Sequence, residues 1–154
     1  MDSTIFSNAD SRSDESLNRV AIIGASGYGG LQSIRLLKGH PFFKVTFLGG
    51  NRSAGKRWNQ LCPFLQLEEN PVIEKPDPDV ISAKADYAIL SLPNGLASQI
   101  VPKLLEKNVR VLDLSADYRY HSLAQWEHIY VKEALAYKRL DHDLCSESVY
   151  GLPE

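Results

Sequence analysis

Short apolar runs and amphipathic stretches alternate along this chain, beginning at Arg19. Val20-Ala21-Ile22-Ile23 is a continuous apolar run closed by Gly24, the pattern of a strand buried on both faces of a parallel sheet. From Tyr28 to Lys38, the apolar residues Leu31, Ile34, Leu36 and Leu37 are interleaved with Gln32, Arg35 and Lys38 at helical spacing, and Gly39-His40-Pro41 supplies a stop. Phe43, Val45 and Phe47 then alternate with Lys44 and Thr46, which predicts a second strand over residues 43–48. Strand, helix and strand in about 30 residues make one βαβ unit.

The region from Gly49 to Pro78 is rich in Gly, Pro and Asn and reads as loop, with Val72-Ile73 as a candidate short strand. Asp86 to Leu92 reads as a buried strand closed by Pro93-Asn94-Gly95. Leu96 to Lys107 is apolar at helical spacing, and Pro102 is expected to kink or split that helix. Arg110 to Leu114 is the next strand. A capped helix is expected from Ser122, followed by a mixed helical tail to Glu147. Alternating strands and helices joined by short loops imply an open, mostly parallel α/β sheet with helices on both faces.

Residues 1–18 are polar and lack periodicity, which reads as a disordered leader. They resemble neither a secretory signal nor a transit peptide, because they have no apolar middle and contain Asp2, Asp10, Asp14 and Glu15. The expected organisation is therefore a leader over 1–18 and one domain over 19–154. No apolar run is long enough to cross a membrane. Two cysteines, Cys62 and Cys145, are too few for a disulfide scaffold and point to the cytoplasm.

The net charge of −2 excludes a generally basic nucleic-acid-binding domain but conceals an asymmetry. Ser16 to Leu67 contains no Asp or Glu, yet holds Arg19, Arg35, Lys38, Lys44, Arg52, Lys56 and Arg57. This segment of charge +7 is balanced by −9 elsewhere, and it should attract an anion.

The motif that makes use of it is Gly24-Ala25-Ser26-Gly27-Tyr28-Gly29-Gly30, between the first strand and the first helix. Gly24 would let the chain turn, Gly27 would admit a pyrophosphate, and Gly30 would let the helix pack closely on the sheet. Ser26, Tyr28 and Gly29 complete the loop, and the N–H groups at the helix start would face the phosphates. A dinucleotide lacking the 2′-phosphate calls for an acid at the end of the second strand. This chain has Gly49-Gly50-Asn51-Arg52-Ser53 there, and the next carboxylate downstream is Glu68. Arg52 can fork onto a phosphate and Ser53 can donate a hydroxyl, so NADP(H) is favoured over NAD(H). Ser91, Pro93 and Asn94, at the end of a later strand, join the candidate cofactor site.

Val20 to Arg35 (VAIIGASGYGGLQSIR) resembles the opening of the N-acetyl-γ-glutamyl-phosphate reductase family. Further resemblances follow in order at Asn51 to Lys56, at Leu92-Pro93-Asn94-Gly95 (where the family has His in place of Asn94), at Leu112 to Arg119, and at Val149 to Glu154. The resemblance implies a Rossmann-type doubly wound fold. It also implies NADPH-dependent reduction of N-acetyl-glutamyl phosphate to a semialdehyde, with release of phosphate, by a homo-oligomeric enzyme of arginine biosynthesis. In that family a cysteine thiolate displaces phosphate, hydride reduces the resulting thioester, and a histidine acts as acid and base. The family's cysteine stands in an Asn-Pro-Gly-Cys-Tyr-Pro context after Tyr-Gly-Leu-Pro-Glu, and this sequence stops at Glu154. Cys62 and Cys145 lie in unrelated contexts. The expectation is therefore a cofactor domain that binds without turnover and carries no catalytic residue of its own.

By the same resemblance Arg119 faces the substrate or its phosphate, although it could instead pair with Asp113 or Asp117; Ser115, which also ends a strand on the cofactor side, is the second candidate substrate contact. Asp141-His142-Asp143 reads as a solvated loop, because a zinc site needs three or four ligands in register. Two enzyme readings compete. A short-chain reductase requires Tyr-x-x-x-Lys, and no tyrosine here has Lys at that spacing. An aspartate-semialdehyde dehydrogenase shares the loop, but Leu-Ser-Ala-Asp-Tyr-Arg argues against it. A non-catalytic NADP-sensing module is the remaining alternative.

Overall fold

A computed structural model describes residues 17–130 and 144–151. The predicted βαβ unit is present as β1 (Asn18–Ile23), α1 (Tyr28–Leu37) and β2 (Phe43–Gly49). It continues through α2 (Trp58–Leu61), α3 (Pro78–Lys84), β3 (Tyr87–Leu90), a 3₁₀ turn (Ala97–Gln99), α4 (Val101–Glu106), β4 (Arg110–Asp113), α5 (Leu123–Tyr130) and α6 (Leu144–Glu147). The four strands form one parallel sheet in the order β2-β1-β3-β4. β1 is central, with Ala21 opposite Phe47 on one side and Ala88 on the other. The step from β2 back across β1 to β3 is the reversal of strand order that marks a doubly wound fold.

Alternation along β1 divides the core between the two faces of the sheet. Val20 and Ile22 pack with Ile34 of α1, Leu48, Trp58 and Ile73. Ala21 and Ile23 pack on the opposite face with Ile81 of α3, Leu104 of α4, Ala88 and Leu90. Each fully buried Ile contributes about 1.5–3 kcal/mol relative to an exposed one.

Several expected elements are altered. β1 starts at Asn18, inside the predicted leader, whose residues 1–16 lie outside the described residues. The strand predicted over 86–92 is shorter at both ends. The helix predicted from Leu96 to Lys107 is split as anticipated, but Pro102 does not interrupt it. Pro102 lies in the first turn of α4, where its missing N–H costs nothing. Val72-Ile73 forms no strand and contributes only an isolated bridge, Val72 to Arg57. Two short helices stand where none is predicted, α2 within the loop-like middle and α3 starting at its end. α3 is capped by Asp77, whose carboxylate accepts from the N–H groups of Asp79 and Val80, with Pro78 at its start. α2 buries Trp58, whose indole N–H donates to the Leu65 carbonyl at 2.6 Å. Residues 131–143 of the predicted tail lie outside the described residues.

The loop after β1 fits against β3 with no room for side chains. Gly24 has φ +84°, and a Cβ there would stand 2.1 Å from the Ser91 carbonyl oxygen. Its N–H donates to the Gly49 carbonyl at 2.8 Å, tying the loop to β2 as well. Gly30 admits the backbone of the loop itself, since a Cβ would lie 2.3 Å from the Gly24 oxygen and 2.8 Å from Ala25 Cα. Its tight packing is therefore against the loop's own start. A Cβ at Gly29 would lie 2.5 Å from Ser91 Oγ.

At the opposite end of the sheet, Arg19 and Asp86 clamp β1 to the start of β3. Asp86 accepts from Arg19 Nη2 at 2.7 Å and from Nε at 3.1 Å. The Arg19 hydrogen bond holds the Asp86 carboxyl below its ordinary range. A carboxyl lowered in the folded state stabilises the fold above its unfolded pKa and loses that contribution as pH falls through the folded one. Both side chains are nearly half exposed, so the pair is worth about 0.2–1 kcal/mol. Asp86→Asn should lower stability by that amount in urea unfolding at neutral pH, and the gap from wild type should close from about pH 4 downward. Gly30→Ala should cost about 1–3 kcal/mol through overpacking. Gly151→Ala, where nothing lies within 4 Å, should leave the melting temperature unchanged when both glycine variants are compared with wild type by calorimetry.

Candidate functional site

Every candidate residue within the described chain lies just beyond the carboxyl end of a strand, the edge at which open α/β sheets bind ligands. The glycine loop follows β1, Arg52 and Ser53 follow β2, Ser91 to Asn94 follow β3, and Ser115 to Arg119 follow β4. Together they form one crest in the order of the sheet, not four separate patches.

At its centre, Gly27 caps α1 with bare backbone at φ −82° and ψ 167°, and no side chain occupies the cap. Tyr28 points outward and is 93% exposed, so it leaves the helix start open. A Cβ at Gly27 would meet only the Gly24 oxygen, at 3.3 Å. The first-turn N–H groups of α1 thus face an open approach that Gly24, Gly29 and Gly30 make possible by packing the loop down. This geometry fits a diphosphate, which would take those N–H groups as donors and gain from the helix dipole.

On the β2 side, Ser53 is buried and its Oγ lies 3.3 Å from Ser26 Oγ, joining the two loops. A Cβ on Gly50 would lie 2.5 Å from Ser53 Oγ, so this junction also depends on a missing side chain, one the sequence pattern did not single out. Arg52 is exposed and makes no hydrogen bond or ion pair among the described residues. An acid does approach in space: the Gly50 N–H donates to the Glu74 carbonyl at 2.9 Å. The Glu74 carboxylate, however, is bound by Lys84 Nζ at 2.7 Å. The crest beside Arg52 and Ser53 is therefore cationic and hydroxylic.

On the β3 side, the Ser91 hydroxyl lies against Gly29, and Leu114 Cδ1 is 3.7 Å from the Cβ position of Gly29. Leu114 is 58% exposed, an apolar surface beside the loop that the spacing did not reveal. Pro93 is exposed. Asn94 is half-buried, and its Oδ1 accepts from the Ala116 N–H at 3.1 Å.

The β4 side is separate in character. Ser115 and Arg119 line a groove of about 510 Å³ with Val101, Val111, Ser148 and Tyr150. The Ser115 hydroxyl donates to Asp113 Oδ2 at 2.8 Å and accepts from the Asp117 N–H at 3.2 Å. It is thus engaged in its own turn. Arg119 forms neither of the anticipated ion pairs. Instead it donates to the Tyr130 hydroxyl at 3.3 Å and lies over the rings of Tyr120 and Tyr150 at 5.5 and 5.4 Å. Arg119 remains exposed beside these two aromatic rings.

Cys62 and Cys145 are both buried, and burial pushes the Cys62 thiol up, away from the thiolate a nucleophile requires. The Asp141–Asp143 run lies outside the described residues. Among the described residues no three His, Cys, Asp or Glu side chains gather as metal ligands, and no helix is long and apolar enough to cross a membrane.

Comparison with known proteins agrees with this geometry. N-acetyl-γ-glutamyl-phosphate reductase from Prochlorococcus marinus (strain MIT 9313) is 63% identical over 137 residues, covering 89% of this chain and 38% of the relative. The protein of the same name from Synechococcus sp. (strain CC9605) is 63% identical over 136 residues, 88% of this chain and 38% of the relative. The chain thus spans about two fifths of the length of the curated relatives it matches. Among solved structures, aspartate semialdehyde dehydrogenase with NADP from Candida albicans superposes with a TM-score of 0.60 at 28% identity, over 68% of this chain and 31% of that one. Aspartate semialdehyde dehydrogenase II from Vibrio cholerae, at 22% identity and a TM-score of 0.52 over 68% of this chain and 30% of that one, shares the fold. Residues 19–154 match the family described as semialdehyde dehydrogenase, NAD binding domain; with its glycine loop at the head of a doubly wound sheet, the chain belongs to that family and is a nicotinamide-dinucleotide-binding domain.

Proposed function

We propose that this chain is the cofactor half of an NADPH-dependent N-acetyl-γ-glutamyl-phosphate reductase, and that it binds NADP(H) in preference to NAD(H). The cofactor preference rests on one observation: Arg52 is exposed and, among the described residues, uncommitted beside the Ser26–Ser53 hydroxyl pair, while the Glu74 carboxylate is held by Lys84. Arg52 and Ser53 would take the 2′-phosphate, with Ser26 joining from the glycine loop. The backbone N–H groups from Gly27 to Gly30 would hold the diphosphate. Ser91, Pro93 and Asn94 would wall the path to the nicotinamide, which supplies the hydride when bound. The similarity to reductases at 63% identity favours the acetylated glutamyl phosphate over the aspartyl substrate of the neighbours at 28%.

The acyl phosphate would approach from the β4 side, where the exposed Arg119 guanidinium offers a phosphate a forked donor. Tyr120 and Tyr150 orient that guanidinium and lower the entropy of holding it in place. Released phosphate would leave by the same groove. The whole enzyme would be a homo-oligomer of the cytoplasm, a reducing compartment in keeping with two buried free thiols. The chain alone would bind without turnover, since both of its thiols are buried.

NADPH at about 100 times its Kd should raise the unfolding free energy of the chain by about 2.7 kcal/mol, and NADH at the same concentration should raise it far less. A hydrogen bond to a charged group is worth about 1.5–3 kcal/mol, so Arg52→Asp should weaken NADPH about 10- to 100-fold and spare NADH. Thermal-shift titration checks this. Equal shifts for the two cofactors, or an Arg52→Asp variant that behaves like wild type, would overturn the preference.

A further inference from the structure

Asp117 is fully buried, and its carboxylate reaches from the turn after β4 into the turn after β3. Oδ1 accepts from the Gly95 N–H at 2.6 Å and Oδ2 from the Ser98 N–H at 3.1 Å. A reciprocal bond runs the other way, from the Ala116 N–H to Asn94 Oδ1 at 3.1 Å. The β4 turn is itself braced, because Ser115 Oγ accepts from the Asp117 N–H and donates to Asp113. Two strand-end turns are therefore locked together by side chains from each side. Gly95 adopts φ +87°, so its N–H is presented to Asp117 by a backbone shape that few other residues would adopt.

The location of this lock gives it a use. The turn it holds, Pro93-Asn94-Gly95, begins two residues after Ser91, which packs on Gly29 of the glycine loop. The turn it starts from carries Ser115 and, two residues beyond Asp117, Arg119. We propose that Asp117 is a positioning residue that sets the nicotinamide end of the cofactor site against the groove of Ser115 and Arg119, without touching either ligand. The proposal rests on the cofactor reading above. In a doubly wound sheet the adenosine half lies over the first βαβ unit, where Arg52, Ser53 and Ser26 belong to other loops, and no bond from Asp117 to any of them is present. Asp117 should therefore govern one half of the dinucleotide and leave the other half alone.

Asp117→Asn keeps the size of the side chain but turns one acceptor into a donor facing a backbone N–H. Titration of the 154-residue chain by calorimetry should show NADPH binding weakened about tenfold. Binding of 2′,5′-ADP, which lacks the nicotinamide half, should stay within about twofold of wild type. A general loss of folded protein would weaken both ligands by the same factor, and that result would overturn the proposal, as would an unchanged NADPH affinity. If wild type binds neither ligand, the cofactor reading falls and takes this one with it; if wild type binds both and the variant matches it, only the present proposal falls. Should Asp117→Asn not fold, amide hydrogen exchange on wild type decides the matter. Exchange at Gly95 and Ser98 should slow with NADPH and not with 2′,5′-ADP, and equal protection by the two would contradict the lock's role.

Discussion

Three backbone segments meet at the carboxyl end of β1 with no side chain between them. The Gly24 N–H is bonded to the end of β2, its Cα side lies against the Ser91 carbonyl at the end of β3, and Gly30 closes the first turn of α1 onto Gly24. Close-packed backbone of this kind cannot relax around an added methyl group. It fixes where α1 begins, and so where its unpaired N–H groups point. Ser26, Ser53, Ser91 and Leu114 take their places around that point. The proposed phosphate site is less a set of side chains than a shape that requires their absence.

The electrostatics follow from the same arrangement. A helix start aimed at open space favours an anion, and the acid-free stretch from Ser16 to Leu67 leaves nothing in the flanking loops to oppose it. Glu74, whose backbone is brought near, has its carboxylate held by Lys84. Farther along the crest the character changes: Asp113 and Asp117 are used inward, to brace turns, and the groove presents the exposed Arg119 guanidinium with the exposed Glu147 in its lining. Two cationic points at opposite ends of one crest suit a doubly charged dinucleotide phosphate at one end and an acyl phosphate at the other.

Much of this was legible in the residues. β1, α1 and β2 are long enough for their periodicity to show, and the glycine loop has meaning because a strand precedes it and a helix follows. α2 and α3 were missed because four and seven residues give too few turns for a repeat to emerge. For α3 a signal existed in the cap, Asp77 followed by Pro78, within a stretch otherwise dominated by loop formers. Spacing could not reveal the reach of Asp117, because its partners Gly95 and Ser98 lie 22 and 19 residues away. Nor could it place Arg119, whose companions Tyr130 and Tyr150 are brought to it by α5 and by the segment after α6. Residues that act through their own neighbours in sequence can be read from sequence; those that act across the sheet cannot.

The most direct test of this account is a backbone amide map of the chain titrated with NADPH by heteronuclear NMR. Resonances of Gly27 to Gly30, Arg52, Ser53 and Ser91 should move together with a single dissociation constant, and those of Arg52 and Ser53 should respond much less to NADH. Shifts that bypass the glycine loop, or that gather instead in the groove of Arg119 and Tyr150, would contradict the claim that this packed backbone is the cofactor site.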